Sequence, residues 1–245
     1  MRKFIFAVIG ALATSSVMAQ EGSSISSERP SYSSSPFTLA PGYWQVELGY
    51  QFADEGGTAD VSVHTLPLAL IRVGLTERLE VQLNWPGYNE VNTNAGDIDG
   101  RSDAMIGLKW QLSDNNARTP VGLFAGITLP IGSDVFSSDD EDPVIGVFWS
   151  HAGIADFFGT VDASFGENSD VFHNAVGVNL PISDTIGSFV EVVSAFPENG
   201  GPQHSLGGGI SFLYNRDLQF DLNAGFGLNS RATNFIFGVG VARRF

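Results

Sequence analysis

Residues 218–227 read Leu-Gln-Phe-Asp-Leu-Asn-Ala-Gly-Phe-Gly. Leu218, Phe220, Leu222, Ala224 and Phe226 fall on one face, and Gln219, Asp221, Asn223 and Gly225 on the other. A strand sends successive side chains to opposite faces, so this run has one apolar and one polar surface. Trp44, Val46, Leu48, Tyr50 and Phe52 alternate with Gln45, Glu47, Gly49 and Gln51, and Leu79, Val81, Leu83 and Trp85 with Glu80, Gln82 and Asn84. A soluble sandwich with one wet face shows the same alternation, so length has to separate the two. Strands of soluble proteins are commonly about 5–6 residues, whereas a tilted strand needs about 9–11 to cross the hydrocarbon of a bilayer.

Working outward from residues 218–227, the chain divides into twelve segments of the longer kind: 43–52, 62–75, 79–87, 102–112, 121–131, 144–152, 157–166, 170–180, 185–195, 204–214, 217–227 and 233–245. Ten or fourteen strands stay open, because 144–166 divides least clearly. The connections 76–78, 113–120, 153–156, 181–184 and 215–216 are mostly short, and 53–61, 88–101, 132–143 and 196–203 mostly long. Short periplasmic turns and longer extracellular loops are the pattern of a transmembrane antiparallel β-barrel, and an even count puts both ends of residues 41–245 on the periplasmic rim.

The beginning of the chain points to the same compartment. Arg2 and Lys3, an apolar run from Phe4 to Ala13, and Val17 and Ala19 ahead of Gln20 have the layout of a secretory signal peptide over residues 1–19. Residues 20–40 are Ser-rich and aperiodic, the composition of a flexible N-terminal arm. With 12 Lys and Arg against 27 Asp and Glu, net charge −15, the chain offers nothing to nucleic acid. It has no cysteine and hence no disulfide framework, and it is rich in glycine (29) and phenylalanine (19). No stretch after the signal is long and apolar enough for a spanning helix.

The last segment, Thr233-Asn-Phe-Ile-Phe-Gly-Val-Gly-Val-Ala-Arg-Arg-Phe245, alternates and ends on an aromatic residue. It resembles the signal by which outer-membrane proteins reach the barrel assembly machinery, which makes that machinery, with outer-membrane lipid, an expected partner. Gly42-Tyr-Trp-Gln-Val-Glu-Leu-Gly49, Leu70-Ile-Arg-Val-Gly-Leu-Thr-Glu-Arg-Leu-Glu80, Asp103-Ala-Met-Ile-Gly-Leu-Lys-Trp110 and Leu129-Pro-Ile-Gly132 carry a wider resemblance. Over about residues 38–245 the chain is similar to the MetA-pathway of phenol degradation family of outer-membrane barrels, often labelled simply "transporter". The resemblance implies a barrel with a role in uptake and brings no catalytic residues.

On this register the candidate lumen-lining side chains are Glu47, Arg72, Glu80, Lys109, Phe124, Phe158, Asp162, Phe189, Glu191 and Asp221. Asp103 and Arg244 join the inward charges, and Met105, Val193 and Leu66, Leu68 and Leu70 the inward apolar groups. Arg72, Glu77, Arg78 and Glu80 flank a tight turn and are expected to cross-pair there. Residues 97–103, Asp-Ile-Asp-Gly-Arg-Ser-Asp, resemble a calcium loop, but Leu108 stands where the closing Glu belongs. They read, like Asp139–Asp142, as a solvated loop. His64, His151, His173 and His204 share no metal-ligand spacing, no outward Ser–His pair emerges, and no cofactor motif is present. The expected function is therefore not enzymatic. It is passive outer-membrane transport of small solutes, hydrophobic or aromatic ones among them. The alternatives are a structural or surface-adhesion barrel with a filled lumen, and an exported soluble β-sandwich that binds a ligand.

Overall fold

A computed structural model describes residues 23–56, 60–166 and 169–245; the segment read as a signal peptide lies outside them. Fourteen strands follow one another: β1 Trp44–Gly56, β2 Val61–Thr76, β3 Leu79–Trp85, β4 Tyr88–Asn92, β5 Ile98–Arg101, β6 Ala104–Gln111 and β7 Val121–Leu129. The second half comprises β8 Pro143–His151, β9 Asp156–Ser164, β10 Val171–Asn179, β11 Ile186–Pro197, β12 Gln203–Asn215, β13 Leu218–Gly227 and β14 Phe235–Arg244. Each pairs antiparallel with its neighbours, and β1 pairs with both β2 and β14, so the sheet closes. Against β2, β3 and then β4 continue one another, and β5 and β6 make the next stave in the same way. The barrel thus has twelve staves. Closure removes the unpaired edges that a sandwich would carry and that lipid does not tolerate.

Tight turns on one rim are set by local side chains. Thr76 Oγ1 accepts from Arg78 N, Asn215 Oδ1 from Asp217 N, and Ser183 Oγ from the amides of Thr185 and Ile186. Such short polar side chains mimic a backbone turn and fix the hairpin register. On the opposite rim the longest connection is 130–142. Much of what reads as loop there in the sequence is strand carried past the membrane. β1 and β2 run through most of 53–61, and β4 and β5 form a hairpin inside 88–101. The discontinuity between β3 and β4 falls at Pro86-Gly87. Proline donates nothing to a ladder, and Gly87 has φ +82° with the Pro67 carbonyl where a Cβ would stand. The calcium-like stretch is accordingly strand at Ile98–Arg101, and no metal-holding group of three or more His, Asp or Glu occurs among the described residues.

The inward and outward faces follow the alternation with one break. In the β1–β2 ladder Gly49 faces Leu68 but Gln51 faces Thr65, so Leu66 and Pro67 together oppose Tyr50. This bulge at proline reverses the facing of what precedes it. Leu68 and Leu70 stay inside, Thr65 is buried, and Leu66 turns outward, 57% exposed, which corrects its expected inward position.

Inward phenylalanines each face a glycine on a neighbouring stave. Phe124 pairs with Gly146, Phe148 with Gly122, Phe158 with Gly177 and Phe189 with Gly209. Three of these rings take up the space a glycine leaves: a Cβ on Gly177 would run into the Phe158 ring, one on Gly209 would stand 2.7 Å from the Phe189 ring, and the Phe124 ring lies over Gly107 and Gly126. Much of the glycine content is therefore a packing partner for inward rings. Gly177→Ala is expected to destabilise the folded barrel by about 1–3 kcal/mol through overpacking. Urea unfolding in a Phe158→Leu background should show a smaller penalty, and equal penalties in both backgrounds would contradict the ring-over-glycine account.

Candidate functional site

The lumen is occupied by the chain's own N-terminal segment. Residues 23–40, within the segment read as an N-terminal arm, form no strand and run through the barrel interior. Ile25, Glu28, Ser33, Leu39 and Ala40 are buried. A segment without secondary structure leaves its amides unpaired, and a dry interior makes that costly. Inward carboxylates supply the acceptors. Glu47 accepts from the amides of Glu28 and Arg29, each at 3.1 Å, and Glu191 from those of Tyr32 at 2.7 Å and Ser33 at 3.4 Å. Glu80 accepts from Leu39 N at 2.6 Å, and Ser31 Oγ donates to Glu191.

Ion pairs lie among the same contacts, with six carboxylates, Glu28, Glu47, Glu80, Asp162, Glu191 and Asp221, around three cations, Arg29, Arg72 and Lys109. Glu28 of the arm lies 3.0 Å from Arg72 and also pairs with Lys109. Arg72 binds Glu80 through two nitrogens, at 2.7 and 2.9 Å, and reaches Glu47 at 3.4 Å. Arg29 of the arm pairs with Asp221 at 3.2 Å. Tyr32 donates its hydroxyl to Asp162, whose other partner is His173 at 2.9 Å. Arg244 donates to Ser23 O and Asp217. Burial works against the charge of Asp217, but the hydrogen bonds from Arg244 and Arg216 outweigh it and hold the carboxyl below its usual range. Each of the inward charges read from the sequence thus has a partner, and the arm adds Glu28 and Arg29 to the set.

Two charges have partners other than those expected. Asp103, on the inward parity just before β6, is taken up by a loop. It accepts from Gly132 N, Ser137 Oγ and Ser138 N, pinning the 130–142 loop, whose Ser133 and Phe136 pack against Gly100. Arg78 does not pair across the β2–β3 turn; it crosses to Asp114 and the Leu112 carbonyl in the next turn.

The remaining space is divided by the arm. One cavity of about 530 Å³ lies against β8–β13 toward the short-turn rim, where Phe158 and Phe189 meet edge to face at 5.9 Å. Another of about 340 Å³ lies against β2, β3 and β6–β9, with Phe124 and Phe148 in its wall and Tyr32 of the arm facing them. The sequence alternation identified the wall residues. The arm escaped it because Ser-rich sequence carries no period, although the acidic excess facing inward was a sign that acceptors awaited donors.

An outward Ser–His pair, not expected from the sequence, does occur: Ser194 Oγ and His204 Nδ1 are 2.9 Å apart, flanked by outer-face Phe196 and Leu206. A catalytic histidine gives its nucleophile one nitrogen and its orienting acid the other, with the acid on Nδ1. Here the serine holds Nδ1. The pair is a cross-strand contact between direct ladder partners.

The sequence pattern of the family described as "Putative MetA-pathway of phenol degradation" matches residues 27–245, so the match includes most of the arm. No curated protein matches the chain by sequence. Among solved structures, an outer-membrane channel of the COG4313 group from Pseudomonas putida F1 superposes with a TM-score of 0.66 at 14% identity, covering 85% of this chain and 97% of that one. The NanC porin gives 0.55 at 10% identity, covering 82% and 98%, and the KdgM porin 0.53 at 8%, covering 82% and 99%. At these identities the likeness is one of fold: an outer-membrane barrel.

The network assigns Glu28 a central place, since its removal leaves Arg72 and Lys109 buried and short of a counter-charge. Glu28→Ala is expected to cost about 3–5 kcal/mol and to loosen the arm. Because the natural chain has no cysteine, Ser33→Cys gives a single reporter. Maleimide should label it slowly alone and much faster when Glu28→Ala is added; equal rates would contradict the network.

Proposed function

The chain belongs to the "Putative MetA-pathway of phenol degradation" family, and from that premise and the form of its lumen we propose passive transport of small, uncharged, ring-bearing solutes across the Gram-negative outer membrane. The observation that carries this reading is how the lumen spends its charges. Glu47, Arg72, Glu80, Lys109, Asp162, Glu191 and Asp221 are engaged with one another or with the arm. Few of these groups are left without a partner to coordinate a passing ion directly, and six carboxylates against three cations leave the interior net acidic, which disfavours anionic solutes. Each of the two open cavities carries rings in its wall, Phe37, Phe158 and Phe189 in one and Tyr32, Phe124 and Phe148 in the other. Burying an aromatic-sized surface there is worth a few kcal/mol at about 25 cal/mol per Å². The family's description, which names phenol, points to the same class of solute.

Export through a cleaved segment at residues 1–19 is part of this proposal. So is recognition of the C-terminal strand by the barrel assembly machinery, with Phe245 stacked on Trp44 at 4.1 Å where the barrel closes.

A second reading, a surface barrel with a permanently filled interior, is favoured by the arm itself. Conductance separates the two. In planar bilayers the full chain is expected to pass little ion current, and a variant lacking residues 23–40 appreciably more. Flux of phenol across asymmetric bilayers with a lipopolysaccharide leaflet should exceed that of benzoate for the full chain. Flux no greater than in protein-free membranes would favour the filled structural barrel.

A further inference from the structure

The cavity of about 340 Å³ holds a feature that the polar network does not use. Asn84 points into it from β3, and its side chain makes no hydrogen bond. Its ladder neighbours are Leu70 on β2 and Met105 on β6, both inward and both apolar. A carboxamide offers two donors and an acceptor, and at Asn84, half-buried at the cavity wall, they are available to a ligand. Other inward amides differ. Gln82, one step down the same strand, donates to Glu80 at 2.8 Å, and Gln45 donates to Glu47 at 2.8 Å and Ser26 O at 3.1 Å.

The surfaces facing Asn84 are flat. Phe124 and Phe148 stand 6.3 Å apart between centroids, tilted by 41°. Phe124 lies over Gly107 and Gly126, so its face is held against the wall and turned to the cavity. Tyr32 closes the arm side, with its hydroxyl tied to Asp162 and its ring 5.6 Å from His173. Ligand sites combine such an apolar enclosure with a few placed polar groups that fix orientation.

We propose that this cavity is a binding site for one small, uncharged ring compound bearing a hydroxyl or carbonyl group. The ring packs among Phe124, Phe148 and Met105, and the polar group bonds the Asn84 carboxamide. The volume admits one or two fused rings, and a charged carboxylate is disfavoured because the carboxylates Glu28 and Asp162 at this wall outnumber its one described cation, Arg29, which is itself paired with Asp221. Placement on the loop side of the arm makes it the first station met by a solute entering from outside. This inference deepens the transport reading and rests on it for its biological meaning, but the binding event is separately measurable.

The test uses the full chain in nanodiscs, with benzyl alcohol, toluene and benzoate as probes and empty nanodiscs as the blank. Ring protons of benzyl alcohol should show nuclear Overhauser contacts to the Met105 methyl group. Asn84→Leu should weaken benzyl alcohol about three- to tenfold, the value of one hydrogen bond, while toluene binding is kept. Asn84→Ser should restore part of the loss, and Leu222→Ala on the outer, lipid-facing surface should change nothing. Heat-modifiable gel migration verifies that each variant is folded, and Phe148→Leu supplies an independent loss should Asn84→Leu fail to fold. Unchanged benzyl alcohol affinity in folded Asn84→Leu or Asn84→Ser and in Phe148→Leu, or equal binding of benzoate, overturns the site. Flux measured on the same wild-type protein keeps the two readings apart: flux without this binding removes the site only, and binding without flux removes transport only.

Discussion

Carboxylates on the barrel wall that accept the backbone amides of the N-terminal arm are the interaction on which the rest of this structure depends. A transmembrane sheet has to be closed and apolar outside, which leaves its polar residues pointing inward. Glu47, Glu80 and Glu191 are thereby committed to a narrow interior, where an unpaired charge is expensive. The arm is the mirror image of that problem: a stretch too polar and aperiodic to make a strand, with amides that need acceptors. Each solves the other's deficit. Glu28 and Arg29 add ion pairs, meeting Arg72 and Lys109 on one side and Asp221 on the other.

That arrangement explains details of composition that a bare barrel would not need. Glycine at position 74 leaves room for the backbone of Leu39 and Ala40, and at position 122 for the Pro36 carbonyl, which lies 2.7 Å from where a Cβ would stand. Elsewhere glycine makes room for rings, so one residue type lets both the arm and the phenylalanines lie close against the wall. The lumen that results is neither an open aqueous pore nor a solid plug. Most of its charges are engaged with the arm or with one another, and its two cavities place rings beside serines, with Asn84 in one of them.

Alternation made the wall legible. The facing of Glu47, Arg72, Glu80, Lys109, Phe124, Phe189, Glu191 and Asp221 follows from period two alone, because a closed sheet in lipid allows no other assignment. Legibility failed where a local residue altered the period or where contacts were made without one. Leu66 reads as inward until Pro67 inserts a bulge. The β4–β5 hairpin hides behind Pro86-Gly87, which resembles the start of a loop. Asp103 sits on the inward parity yet is captured by loop amides. The Ser194–His204 pair depends on a register across two staves that no single strand reveals. The arm is the largest case. Nothing in a Ser-rich segment announces where it goes, since its position is set by partners as much as 221 residues away in sequence.

The central claim is that residues 23–40 are held inside the barrel by hydrogen bonds from their own amides. Hydrogen–deuterium exchange of the full chain in lipid addresses it directly, because it reads those amides individually. The account predicts that the amides of Glu28, Arg29, Tyr32, Ser33 and Leu39 exchange orders of magnitude more slowly than an unstructured peptide, approaching the rates of β11 and β13. It also predicts that Glu47→Ala and Glu191→Ala each release the amides bound to the missing carboxylate. Exchange of the whole segment at unstructured-peptide rates in the unmutated protein would contradict it.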